Sequence, residues 1–294
     1  MQIPNSPAYH DPILAWYEAN ARDLPWRAPD ATPWGVLVSE IMLQQTPVAR
    51  VLPVWREWLE RWPEPAALAA EPSGEAVRAW GRLGYPRRAL RLHASAAAIV
   101  ERHGGEVPSS HDDLLALPGI GAYTAAAVAS FAFRGRHAVL DTNVRRVLAR
   151  LVSAEEYPPR SQTRAEVRLA ESLLPLDPPT AARWSVAVME LGALVCTARS
   201  PRCVDCPVLA RCAWQRAGRP AYDGPPRKGQ TYAGTDRQCR GRILEVLRNA
   251  EGPVRKPELD VVWSEPVQRE RALDALIADG LVDPLDDGRY ALPG

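Results

Sequence analysis

Four of the five cysteines of this chain fall between positions 196 and 212, spaced Cys196-x6-Cys203-x2-Cys206-x5-Cys212. Thiols this close in sequence can pin three short loops round a single point, which limits what the surrounding chain can fold into. The N-terminal stretch MQIPNSPAYHDP lacks the charged-then-apolar pattern of a secretion signal, and no apolar run approaches the ~20 residues that span a bilayer. The expectation is a soluble intracellular protein whose cysteines hold a metal rather than disulfides. Zinc and a 4Fe-4S cluster both accept four thiolates, and spacing alone does not separate them. Arg199, Arg202 and Arg211 lie inside the cysteine loops, where a metal knot would turn them toward phosphates. Cys239 stands outside the pattern as a spare thiol.

The stretch from Leu114 to Arg146, LLALPGIGAYTAAAVASFAFRGRHAVLDTNVRR, carries the second constraint. Two apolar helical runs, 114–117 and 122–131, are joined by Pro118-Gly119-Ile120-Gly121, a helix-hairpin-helix pattern. Gly119 and Gly121 admit backbone conformations closed to other residues, and the second helix starts with free N–H groups suited to a phosphate. Asp141 sits just before the next helical run, with Thr142 and Asn143 as candidate caps, so its carboxylate is expected near a helix N-terminus and ionised.

Elsewhere the pattern is helical. In GVLVSEIMLQQTPVARV, Val36, Glu40 and Leu43 recur at helical spacing, which puts Glu40 against an apolar stripe, where burial would raise its pKa toward that of a general acid. Thr46 is expected to cap the next helix, leaving Gln45 at a helix-to-helix corner. Trp26 and Arg27 share the loop LPWR, able to stack on and hydrogen-bond a base or to anchor a core. Tyr85 interrupts a helical pattern beside Arg87, Arg88 and Arg91, an aromatic among arginines suited to insertion beside an unstacked base. Sustained two-residue alternation is confined to the extreme C-terminus, so the body is read as all-α.

Net charge is +1, but unevenly placed: residues 199–229 hold 7 basic and 2 acidic side chains, and residues 235–294 hold 9 basic and 12 acidic ones. The first is a local basic patch. The second, read as helices followed by a hairpin round Asp286-Asp287-Gly288, suggests a small winged-helix-like module whose net −3 argues against duplex reading by the whole module.

The pieces LPWR, SEIMLQQTPVARV, LGYPRRALRLH, LPGIGAYTA, VLDTNVRRVLAR and MELGALVC, with the cysteine spacing, resemble the MutY-type adenine DNA glycosylases of the endonuclease III-like helix-hairpin-helix superfamily. The likeness runs from about Trp16 to Cys212. It implies a two-domain helical glycosylase fold, with residues 1–30 and 137–217 forming a cluster-bearing domain and 31–136 a six-helix domain with the hairpin. A linker at 218–234 and the module at 235–294 would follow. It implies a 4Fe-4S cluster on the four cysteines and, as partner, double-stranded DNA with adenine opposite 8-oxoguanine or guanine. The protein would act as a monomer, in the cytoplasm at the nucleoid, away from membranes.

By the same resemblance Glu40 would protonate the leaving adenine and Asp141 would stabilise the cationic sugar, with Tyr123 and Asn143 in support. Trp26, Arg27 and Glu190 would line the adenine pocket, and Gln45 and Tyr85 would fill the gap in the stack. Breaking a glycosidic bond needs an acid for the base and an anion for the sugar, and the two carboxylates were expected in environments that push their pKa values apart. Glycosylase-lyases of this superfamily carry a lysine at the position of Tyr123, and the only lysines here are Lys228 and Lys256. A monofunctional enzyme is therefore expected. Where many relatives carry a larger Nudix-like domain, only about 60 residues follow the linker. The alternatives are an endonuclease III-type enzyme for oxidised pyrimidines and a non-catalytic, metal-knotted DNA-binding module.

Overall fold

Alanine, leucine and arginine favour helix, and 29 prolines break it into short pieces. The computed structural model describes residues 7–225 and 232–294. Part of the expected linker, with Lys228, lies outside the described residues. In chain order the helices are α1 (Pro7–Asn20), α2 (Pro33–Met42), α3 (Val48–Arg61), α4 (Pro65–Ala69), α5 (Ser73–Trp80), α6 (Arg87–His103), α7 (His111–Leu115) and α8 (Ala122–Phe131). They continue as α9 (Thr142–Leu151), α10 (Arg164–Leu173), α11 (Pro178–Leu194), α12 (Ala213–Arg216) and α13 (Asp236–Asn249). The chain closes with β1 (Val254–Arg255), α14 (Lys256–Asp260), α15 (Pro266–Ala278), β2 (Asp283–Pro284) and β3 (Arg289–Ala291). Among the described residues, no helix is long and apolar enough to cross a membrane.

Two compact units result, one of Met1–Val36, Ser109–Leu115 and Gly121–Pro226, the other of Leu37–Pro108, Ala116–Ile120 and Arg227–Gly294. In the first, α1, α9, α10 and α11 bury Ile13, Val144, Val147, Leu151, Leu173, Trp184, Val188 and Leu191 against one another. Local signals set the helix starts. Thr163 and Glu166 form a reciprocal capping box at α10, and Asp177 caps α11 ahead of Pro178.

In the second unit, Trp58 packs edge-to-face on Trp62 and on Trp80, with ring centroids 4.6 and 5.8 Å apart. Its C-terminal part has the helix-and-wing form expected: α13, α14 and α15 with a three-stranded antiparallel sheet in the order β1-β3-β2, in which Tyr290 faces both Val254 and Pro284. Cys239 is fully buried, as are Ile243 and Leu276 of this module. The module is docked on α5 by a reciprocal exchange. Arg78 donates to the carbonyls of Leu247, Arg248 and Ala250 at the end of α13, and Arg248 Nε donates to the Val77 carbonyl at 3.0 Å. Gly74 N–H donates to the Pro293 carbonyl at 2.7 Å, and a Cβ at position 74 would stand 2.4 Å from that oxygen.

Three local expectations are corrected. The first hairpin helix ends at Leu115, because Pro118 biases the preceding residue away from helix. Thr46 does not cap α3: its hydroxyl donates to the Leu83 carbonyl and accepts from Arg88, and Pro47 occupies the cap position. At α9 the cap is Asp141 itself, ahead of Thr142 and Asn143.

Candidate active site

Asp141 Oδ1 accepts the Val144 N–H at 2.6 Å and Oδ2 accepts Asn143 Nδ2 at 2.8 Å. Burial raises its carboxyl above the usual aspartate range, opposed by those two hydrogen bonds and by the charge of Arg146. Asn143 Oδ1 in turn accepts from Arg146 Nη2 at 2.8 Å, and the same guanidinium reaches the carbonyls of Gly192 and Cys196, each at 2.8 Å. A Cβ on Gly192 would meet Asn143 Cβ at 2.7 Å, so α11 approaches α9 this closely only with glycine there.

One turn further along α9, Arg150 donates to the carbonyls of Thr197 and Ala198 and lies over the Trp214 ring, 4.9 Å from its centroid. A pair of arginines four residues apart thus links the Asp141 cap to the cysteine loop. Cys196, Cys203, Cys206 and Cys212 line one small cavity with Arg150, Val195 and Trp214. All four thiols are free. Burial pushes Cys206 up to about 11, with the neighbouring cysteines adding to it and a hydrogen bond from the Val208 backbone opposing it. Among the described residues, no group of three or more His, Cys, Asp or Glu side chains is arranged to hold a metal ion.

Glu190, on α11, is fully buried. Its carboxylate accepts Arg22 Nε at 2.6 Å, Arg22 Nη2 at 2.8 Å, the Arg22 backbone N–H at 3.1 Å and Arg27 Nη1 at 2.8 Å. Burial opposes its ionisation, but the two arginines outweigh this and bring it down to about 2. Arg27 and Glu190 therefore come together as expected. Arg22 is a partner that sequence reasoning missed, although the spacing ARDLPWR puts an arginine on each side of the turn. Trp26 is buried on that turn, and Tyr123 is half-buried against Ala126, Ala127 and Val139.

Glu40 is 6% exposed on α2, whose Trp34, Val36, Leu37, Val38, Ser39, Ile41 and Met42 are all buried. A stripe was expected; the helix is buried nearly all round, and Glu40 is its one acidic side chain. Gln45 and Tyr85 are exposed and hold φ values of 56° and 50°. Side chains with a Cβ resist this left-handed region at a cost of about 1–3 kcal/mol, so the surroundings must impose it.

Arg88 does so at both places. Buried, it donates to the carbonyls of Ile41, Met42 and Gln44 on one side and of Gly84 on the other, and it stacks 5.3 Å from the Tyr85 ring centroid. Burial lowers its pKa to about 10, so it stays charged at neutral pH. Its neighbours Arg87 and Arg91 are exposed arginines in the same local sequence, so nothing local distinguishes Arg88 as the buried one.

At the hairpin, Gly119 has φ 76° and a Cβ there would meet Arg91 Cβ at 2.6 Å. Gly121 has φ −100° with open space about it. Only Gly119 therefore needs to be glycine, which corrects the expectation for Gly121. Gly121 is the exposed N-cap residue of α8.

Residues 38–172 match the HhH-GPD superfamily of base excision DNA repair proteins. Over 286 residues the chain is 56% identical to an adenine DNA glycosylase of Mycobacterium tuberculosis, covering 96% of this chain and 92% of that one. This chain belongs to the adenine DNA glycosylase family. With so much of the chain aligned, the likeness to the mycobacterial protein extends into the C-terminal module. Among solved structures, a thermostable thymine-DNA glycosylase matches with a TM-score of 0.66 at 27% identity, covering 72% of this chain and 97% of that one. A trapped endonuclease III–DNA covalent intermediate matches with a TM-score of 0.60 at 25% identity, over 71% and 95% of the two chains. The helix-hairpin-helix glycosylase fold expected from the motifs is borne out.

Proposed function

We propose that this protein hydrolyses the N-glycosidic bond of adenine paired with 8-oxoguanine or guanine in duplex DNA and leaves an abasic site. The observation that carries the reading is Asp141: a buried carboxylate held by fixed donors at the start of α9, in a chain of this family. Such an anion meets developing positive charge on the sugar without first shedding water. Glu40 donates its proton to the base, the C1′–N bond breaks with its electron pair going to adenine, and water adds at C1′, its proton returning to Glu40. Asn143 and Arg146 keep the Asp141 carboxylate in place, and Tyr123 supports it. Trp26, Arg27 and Glu190 receive the base, and Gln45 and Tyr85 enter the stack it leaves. Gly119 and Gly121 shape the hairpin that grips a phosphate.

Tyr123 supports hydrolysis over lyase chemistry, since no amine stands there to attack the sugar. Lys256 lies in the C-terminal module, paired with Asp260 and Glu270. The four cysteines line one cavity and are soft thiolate donors of the kind that hold a 4Fe-4S cluster, which supports that group here. Cys196, Cys203, Cys206 and Cys212 would hold it, and it would tie the cysteine loops together. The protein is taken to work as a monomer on DNA in the cytoplasm.

The test is adenine release from duplexes with A opposite 8-oxoguanine, guanine or thymine, with and without alkali. Release at the first two, with strand breakage only after alkali, is expected; a borohydride-trapped protein–DNA adduct would overturn the monofunctional reading. Chemical analysis should find about four iron and four acid-labile sulfide per chain, and one zinc instead would overturn the cluster.

A further inference from the structure

Tyr85 stands on a turn in which Gly81, Gly84 and Tyr85 itself all carry positive φ, of 53°, 86° and 50°. Its backbone carbonyls are held from within: Arg50 donates to Arg82, Thr46 to Leu83, and Trp80 and Arg88 to Gly84. The arginine side chains at its two ends are held from elsewhere. Arg82 Nη2 lies 3.4 Å from Glu245 on α13, and Arg87 Nη1 lies 3.1 Å from Asp279 at the end of α15. Both acids belong to the C-terminal module.

Asp279 breaks a local rule. It occupies the C-cap of α15, where the negative end of the helix dipole disfavours a carboxylate. It is kept there by two cations, Arg240 within the module and Arg87 of the Tyr85 turn. The module itself is anchored to α5 by the Arg78–Arg248 exchange and by the close approach at Gly74. Its own net charge of −3 keeps it from gripping phosphates.

We propose that the C-terminal module is a brace for the Tyr85 turn, in which Glu245 and Asp279 are positioning residues that aim Arg82 and Arg87 on either side of Tyr85. The two guanidiniums are then set for phosphates flanking the base step that the ring enters. This rests on the reading of the protein as a duplex-DNA glycosylase. Asp279 carries the larger share, because the Arg82–Glu245 pair is more open to solvent and more readily screened by salt.

The test compares the Glu245→Gln/Asp279→Asn double variant in the wild-type background and in a Tyr85→Leu background. Three quantities are read: single-turnover adenine release from A opposite 8-oxoguanine, affinity for that duplex, and fluorescence of 2-aminopurine placed beside the 8-oxoguanine, which rises as the stack opens. In the wild-type background the double variant should slow release about fivefold and diminish the fluorescence rise, with melting temperature unchanged; in the Tyr85→Leu background it should add almost nothing. Equal losses in both backgrounds, no loss of release or fluorescence, or tighter duplex binding, which would make the acids a shield, each overturn the brace. Wild-type protein that raises the fluorescence without releasing adenine overturns the glycosylase reading instead, and the fluorescence alone then decides the brace.

Discussion

Asp141 caps α9 and, on the proposed mechanism, also stabilises the sugar cation, and the two roles separate on substitution. Asparagine caps a helix about as well as aspartate, so Asp141→Asn should change stability by less than about 0.5 kcal/mol, whereas Asp141→Ala should lose about 1 kcal/mol with the cap. Both should cut adenine release at least ~100-fold, the scale of losing a transition-state charge partner. Thermal melts beside single-turnover rates check this. Glu190 behaves with the opposite sign. Its carboxyl is held down to about 2 by Arg22 and Arg27, so the stability it contributes is complete above about pH 4.5 and is lost as pH falls toward 2. Glu190→Gln should cost roughly 2 kcal/mol at neutral pH and flatten the acid limb of a melting-temperature profile. An unchanged acid limb would show that the ion pair does not govern it.

At the scale of elements, the hairpin distinguishes two glycines that look alike in LPGIGAYTA. Gly119→Ala meets both a left-handed backbone and the Arg91 side chain, so it should lose about 1 kcal/mol or more and weaken duplex binding. Gly121→Ala meets neither and should leave both within error. Melting temperature and binding to an uncleavable duplex decide the pair, and equal effects would remove the reason given for Gly119. The element boundaries themselves were mostly legible. Proline marks the starts of α2, α4, α11 and α15, and short polar side chains cap α9, α10 and α11. The end of α7 and the role of Thr46 were not, because both depend on what the backbone meets after it turns.

At the scale of the whole molecule, the C-terminal module is part of a compact unit with a helix 169 residues earlier, so its docking should count toward that unit's stability. Gly74→Val would drive a side chain into the Pro293 carbonyl and Leu292. It should lower the melting temperature by several degrees, consistent with a loss of about 2 kcal/mol in a chain of this size, and raise protease cleavage near the linker. A Gly74→Val variant that melts like the wild type would show that the Pro293 contact is dispensable.

The linear sequence determined what depends on neighbours in the chain: the helical body, the hairpin, the N-cap at Asp141, the cysteine spacing and the tyrosine at position 123. Each is set by side chains a few residues apart, where spacing dictates geometry. Tertiary structure decided what depends on partners far along the chain. Arg22 reaches Glu190 across 168 residues, Arg146 reaches Cys196 across 50, and Arg78 reaches Arg248 across 170. No periodicity announces such pairs, because a buried charge takes whichever partner packing brings within hydrogen-bond distance. The same reason explains Arg88, which nothing local marks for burial, and which the fold uses to hold Gln45 and Tyr85 in conformations that neither would adopt unaided.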